Sequence, residues 1–360
     1  MKKTLTTALA MLTAMTAFSI KPAEMLRHTV EGLPVIGTLA PDATKSFSRL
    51  PDEMKDSVRE HVWDLGLNSA GLAIRFSSDA TDIGVSWKAM NRFNMPHMTA
   101  TGIRGVDLYV LDDSCRWTTL GAGVPSYTGS VSDKVIGPDM ERRMRDYMMY
   151  LPLYDGIDSV YILTDSLAQV AGPLHPDMPR RGHPIVVYGT SITQGGCASR
   201  PGMAYPAILE RLTGIETVNL GLSGNGRLDP ELARLMARAD ASAYIVDALP
   251  NCKSSDLEER LAEFVGILRA AHPGTPVLLV ESPMFPIARF SREVNSTLTE
   301  KNRTFRRIYE ENWASDPKVI YVPADVALDD NEVTVDNYHY TDYGFRRMAE
   351  KLAAILAPLL

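Results

Sequence analysis

Four short segments of this 360-residue chain carry residue types that suit acyl transfer. Gly189-Thr190-Ser191 follows the apolar run 185–188. A serine at a tight glycine turn after a strand exposes its hydroxyl, and the backbone N–H groups of the next helix face any oxyanion formed there. Asn219-Leu220-Gly221-Leu222-Ser223-Gly224 follows the run 217–220, and its glycines let backbone approach a ligand closely. Asn251, after the run 243–246, offers a side-chain amide donor. Asp336 and His339 stand three apart on a turn, where a carboxylate can hold Nδ1–H and leave Nε2 to take a proton from a hydroxyl. Read alone, these are an N-cap serine, a glycine-rich loop, a turn asparagine and a solvated histidine. Their order gives each a role. Ser191 is the expected nucleophile, His339 the base and Asp336 its orienting carboxylate. Ser191 N–H, Gly224 N–H and the Asn251 amide are the expected oxyanion donors.

The elements that must position them have two textures. From about residue 26 to 171 the chain favours short alternating strands, such as 72–76, 83–87, 106–110 and 159–163, separated by Gly, Asp and Ser clusters. This pattern predicts a β-sandwich. Residues 139–145 read as a loop or a brief helix. The stretch 172–184 is rich in Pro and Gly and reads as an interdomain linker, with His175 and His183 exposed on it. From 185 to 360, apolar strands at 185–188, 217–220, 243–246, 277–280 and 319–322 alternate with helical stretches at 205–212, 230–239, 257–271, 296–312 and 343–356. Nearly continuous apolar strands between helices predict an α/β fold, a parallel sheet covered on both faces. Its chemistry belongs at the carboxyl ends of the strands.

Together these segments resemble the SGNH (GDSL-like) hydrolase superfamily over roughly residues 184–360. Ser191, Gly224, Asn251 and the Asp336/His339 pair stand in the order of its four blocks. The last block, with its continuation Thr341-Asp342-Tyr343-Gly344, is the most specific piece. Thr190 stands where the usual motif has Asp. Residues 189–206 and Gly105-Val106-Asp107-Leu108-Tyr109 are also similar to a two-domain bacterial subgroup with an N-terminal GxDLY domain. The resemblance implies a flavodoxin-like, three-layer hydrolase domain behind a jelly-roll-like β-sandwich. It also implies an exported serine esterase. A small acyl group, acetyl on a carbohydrate, is the expected substrate. A lysophospholipase or thioesterase of the same fold, or a catalytically inactive glycan-binding protein, is the alternative. Arg200, Tyr205 and Glu281 are expected to line the substrate site, and Asp107 and Tyr109 read as ordinary strand residues.

The bulk numbers set further bounds. A net charge of -7 and a pI near 5.6 argue against a nucleic-acid partner. Lys2 and Lys3, the apolar stretch 5–18 and small residues up to Ser19 read as a signal peptide over 1–19. No later segment is apolar enough to insert in a membrane. The expectation is a periplasmic or secreted chain with a small-molecule or glycan ester as its partner. Among three cysteines, Cys197 and Cys252 each follow a site loop, and either form a disulfide or remain two buried thiols. No Cys or His pair has zinc spacing, and neither the phosphate-loop nor the dinucleotide glycine pattern is met, so no metal or cofactor is expected.

Overall fold

The computed structural model describes residues 20–40, 47–324, 330 and 332–360. The expected signal peptide at 1–19 lies outside the described residues. Among those described, no helix is long and apolar enough to cross a membrane.

The first half contains β1 (Leu26–Thr29), β2 (Val35–Ile36), β3 (Ala73–Ser78), β4 (Ile83–Ala89), β5 (Val106–Leu111), β6 (Trp117–Gly123), β7 (Val131–Gly137), β8 (Arg145–Tyr150), β9 (Ile157–Thr164) and β10 (Val170–Ala171). They pair antiparallel into two sheets, one ordered β1-β9-β4-β7 and one ordered β10-β3-β8-β5-β6 with β2 beside β3. Residues 139–144 are loop, and β8 starts at Arg145.

The second sheet is buried on both sides. Strand residues alternate between faces. Ile74, Phe76, Val106, Leu108, Tyr147 and Met149 enter the core of the sandwich. The intervening Ala73, Tyr109, Met148 and Tyr150 form a separate cluster with Ile36 and Ala207, a residue of the second domain. The face that alternation would give to water is therefore the seam between the domains.

The second half holds a five-stranded parallel sheet of β11 (Arg180–Gly189), β12 (Ile215–Gly221), β13 (Ala243–Asp247), β14 (Val277–Val280) and β15 (Val319–Val322), ordered β12-β11-β13-β14-β15. This is the flavodoxin-like order, with its reversal point beside β11 and β13. Val186, Tyr188 and Val246 pack on one face with Leu261 and Phe264, while Ile185, Val187 and Ile245 pack on the other with Ile208, Phe345 and Leu352. Helices on both faces complete three layers, which explains the unbroken apolar strands.

The Pro/Gly-rich stretch touches both domains. Leu174 N–H, His175 N–H and His175 Nδ1 meet the buried Asp146 carboxylate of the sandwich at 2.6, 2.8 and 2.7 Å. Arg180 N–H, at the start of β11, donates to Gly214 O at 2.7 Å.

Candidate active site

Ser191 begins the short helix α1 (Ser191–Gln194) where β11 ends. The Thr190 hydroxyl caps that helix by accepting the Ile192 N–H at 3.2 Å. The fourth segment folds back on itself because Asn337 adopts φ 69°, a left-handed conformation that asparagine tolerates. The Asp336 carboxylate then accepts the N–H groups of Tyr338 and His339 at 3.1 and 2.8 Å.

The result is a linear chain of three side chains. His339 Nδ1 lies 2.7 Å from Asp336 Oδ2, and His339 Nε2 lies 2.8 Å from Ser191 Oγ. Burial pushes the Asp336 carboxyl up, but bonds from the His339 backbone and ring outweigh it and hold the group below its ordinary range. An ionised Asp336 only accepts, so Nδ1 carries the imidazole proton and Nε2 faces Ser191 as acceptor.

The donors opposite this pair are held by residues from several elements. Gln194 accepts the Ser223 N–H at 3.0 Å and donates to Leu153 O at 2.9 Å. Asn219 donates to Thr193 O at 2.9 Å and accepts the Gly221 N–H at 2.9 Å. The buried Arg49 guanidinium donates to Asn219 O and Gly221 O at 3.2 and 2.6 Å. Gly224 sits at φ 68°, where a side chain would strain the backbone. Asn251 Oδ1 accepts the Gly226 N–H at 3.3 Å, which leaves its NH₂ for a ligand. Lys301 fixes that turn by donating to Leu249 O at 3.0 Å, and its burial pulls its ammonium below the ordinary lysine value. Among the described residues, Ser191 N–H and Gly224 N–H have no protein acceptor. Ser191, Gly224, Asn251 and His339 line one cavity of about 550 Å³.

Residues 182–357 match the GDSL-like lipase/acylhydrolase family, and residues 26–170 match the GxDLY domain found at the N-terminus of SGNH-hydrolase-type esterases. A solved structure described as a GDSL-like lipase from Bacteroides ovatus ATCC 8483 is 32% identical, covers 93% of this chain and 98% of that one, and has a TM-score of 0.86. The chain belongs to the GDSL-like lipase/acylhydrolase family. It is a carboxylic ester hydrolase. The salicylyl-acyltransferase of a tetracycline biosynthetic pathway shares the fold at 17% identity, with 93% and 98% of the two chains covered and a TM-score of 0.71. A carbohydrate acetylesterase from Sinorhizobium meliloti aligns with 49% of this chain and 100% of its own, at 16% identity and a TM-score of 0.39. None of the curated proteins matches the chain.

The other expected site residues of this hydrolase lie elsewhere. Arg200 does not enter the cavity. It donates to Asp107 Oδ2 and the Tyr109 hydroxyl at 2.6 and 2.7 Å, so its charge is used across the domain seam. Tyr205 is buried, with its hydroxyl 2.9 Å from Asp247 Oδ2 and 3.0 Å from Thr193 Oγ1. Glu281 stands at the end of β14, but its carboxylate is taken by the Tyr321 hydroxyl at 2.5 Å and Ala324 N–H at 3.1 Å. Cys197 and Cys252 are both free thiols, so the disulfide is absent. Burial pushes each of them up to about 12.

Sequence reading missed His97. It arrives from the sandwich domain, its ring centroid 5.7 Å from that of His339 and its Nε2 4.0 Å from Asp336 Oδ2. Only a fold can bring residues 97 and 339 together. With Cys197, Asp336 and His339 it places four donor atoms within 4.8 Å of one another. A metal held there would take Asp336 and His339 from each other, so the triad and a metal centre are mutually exclusive uses of these residues.

Proposed function

We propose that this hydrolase is a serine esterase acting on short-chain acyl esters, acetyl first among them, borne by carbohydrate alcohols. The observation that carries the mechanism is the 2.8 Å approach of His339 Nε2 to Ser191 Oγ beside three unengaged N–H donors. Ser191 Oγ attacks the ester carbonyl carbon as its proton passes to His339 Nε2. The carbonyl oxygen becomes an oxyanion held by Ser191 N–H, Gly224 N–H and the Asn251 amide. Collapse breaks the bond to the alcohol, which leaves with the proton from His339. Water then adds to the acyl-enzyme, gives its proton to His339 and releases the acid and Ser191. Asp336 stabilises the imidazolium in both halves. The supply of polar groups around the cavity, including Ser223, Ser282 and Thr297, supports a polar ester. The expected leader at 1–19 supports export to the periplasm or medium, where acylated glycans are met.

One observation favours a longer acyl group. Ile192, Phe285, Val294 and Leu298 give the same cavity an apolar wall, and about 550 Å³ exceeds the needs of an acetyl group. Turnover of p-nitrophenyl acetate against p-nitrophenyl octanoate separates the two readings. Acetate selectivity that disappears in Ser191→Ala supports the first. Octanoate preference that disappears in the same variant moves the assignment to a lipid or thioester substrate. Turnover unchanged by Ser191→Ala overturns the mechanism.

A further inference from the structure

A second cavity, also about 550 Å³, opens between the domains and meets the first at Ser223, which lines both. One wall comes from the helix Glu60–Gly66 and the turn behind it, with His61, Asp64 and Asn68. The other comes from the loop after β4, with Asn91 and Phe93. That loop continues to His97, whose ring lies tilted 5.7 Å from that of His339. Tyr154 lines the cavity as well, and its hydroxyl lies 3.4 Å from Ser191 O. The second cavity therefore borders the first at the loop that carries Gly224, and Tyr154 and the chain leading to His97 bring its walls close to Ser191 and His339.

The lining has a definite chemistry. Phe93 is 49% exposed and presents an apolar face. The side chains of His61, Asp64 and Asn68 have no protein partner among the described residues, and Asn91 uses only its NH₂, on Asp155 at 3.2 Å. Planar amides and a carboxylate can bond pairs of adjacent hydroxyls, while an aromatic ring packs against the C–H face of a sugar ring. No Lys or Arg lines the cavity, and it carries one carboxylate, which disfavours a phosphorylated headgroup or a nucleotide thiol.

We propose that this interdomain cavity is the subsite for the alcohol half of the ester and takes a neutral sugar, with Phe93 as its platform and Asn68 and Asp64 as its hydroxyl partners. The proposal rests on the esterase reading above. It gives the sandwich domain a direct part in substrate choice, while the apolar wall of the first cavity faces the acyl half.

The test compares 6-O-acetylglucose with ethyl acetate, which has the same acyl group and almost no alcohol to recognise. Phe93→Ala and Asn68→Ala should each raise KM for the sugar ester about 10-fold and leave ethyl acetate within about 2-fold, as loss of a stacking or hydrogen-bond contact predicts. Phe93→Tyr should restore the sugar ester. Equal effects on both esters, or no effect on the sugar ester, would overturn the subsite. A binding arm keeps the two readings apart. Ser191→Ala should bind cellobiose saturably, and adding Phe93→Ala should abolish it. Failure of the wild-type chain to cleave either ester would count against the esterase reading, while the cellobiose result would still decide the subsite.

Discussion

The cleft around Ser191 and the seam between the domains both depend on charged and aromatic groups, yet they are built in opposite ways. In the cleft the decisive pair is local: Asp336 and His339 are three residues apart, partly exposed, and positioned by one turn. In the seam the pairs are distant and buried. Asp107, fully buried, takes Arg200 from 93 residues away and the Gly202 N–H on the same oxygen, while Arg211 lies over the Tyr109 ring at 4.3 Å. Tyr150 of the sandwich donates to the buried Glu210 at 2.7 Å. The cleft keeps its charges near water, where they can change state during a reaction. The seam buries its charges, where an unmatched one is expensive. The GxDLY segment thus ties down the loop that follows Ser191.

That contrast can be broken at either end. Asp336→Asn should lower kcat on the order of 10⁴-fold, because the amide favours the wrong imidazole tautomer, with little change in melting temperature. A large loss of stability in that variant would move Asp336 to the structural side. Asp107→Ala should do the reverse. It leaves Arg200 without its carboxylate, with only the Tyr109 hydroxyl and Met203 sulfur to meet it, and should destabilise the fold by about 3 kcal/mol, read as a shift of the denaturant midpoint. Residual activity per folded molecule should stay near wild type. Asn251→Ala should cost about 10²–10³ in kcat and leave unfolding unchanged, since it removes one oxyanion donor.

The smallest effect concerns pH. Burial raises the carboxyls of Glu210 and Asp247 to about 7, from ordinary values of 4.5 and 3.8. The folded chain therefore keeps protons that the unfolded chain has already released. Stability should be full below the ordinary carboxylate range, fall as pH rises toward about 7, and level off above it. Asp336, held low, acts in the opposite sense and only at more acid pH. Glu210→Gln should flatten the fall in melting temperature between about pH 4.5 and 7. An unchanged slope would mean that this seam carboxyl does not hold its proton.

What was legible follows the same division. The α/β sheet could be read because its strands are apolar on both faces, and Ser191, Asp336 and His339 could be read because motif spacing survives in one dimension. In sequence Asp107 and Tyr109 read as no more than strand residues, because alternation alone cannot tell a wet face from a second buried one. Arg200 and Tyr205 follow Ser191 closely in sequence but point into the seam and the core. His97, Arg49 and Lys301 reach the site from 242, 170 and 52 residues away from His339, Asn219 and Leu249, separations that leave no pattern in the sequence.

The most direct measurement is covalent labelling with an alkyl fluorophosphonate, followed by peptide mapping of the modified serine. The account predicts one phosphonate on Ser191, formed rapidly in the wild-type chain, slowed by orders of magnitude in His339→Ala and absent in Ser191→Ala. A label on another residue, or equal labelling of the His339→Ala variant, would contradict a nucleophile at Ser191 activated by His339.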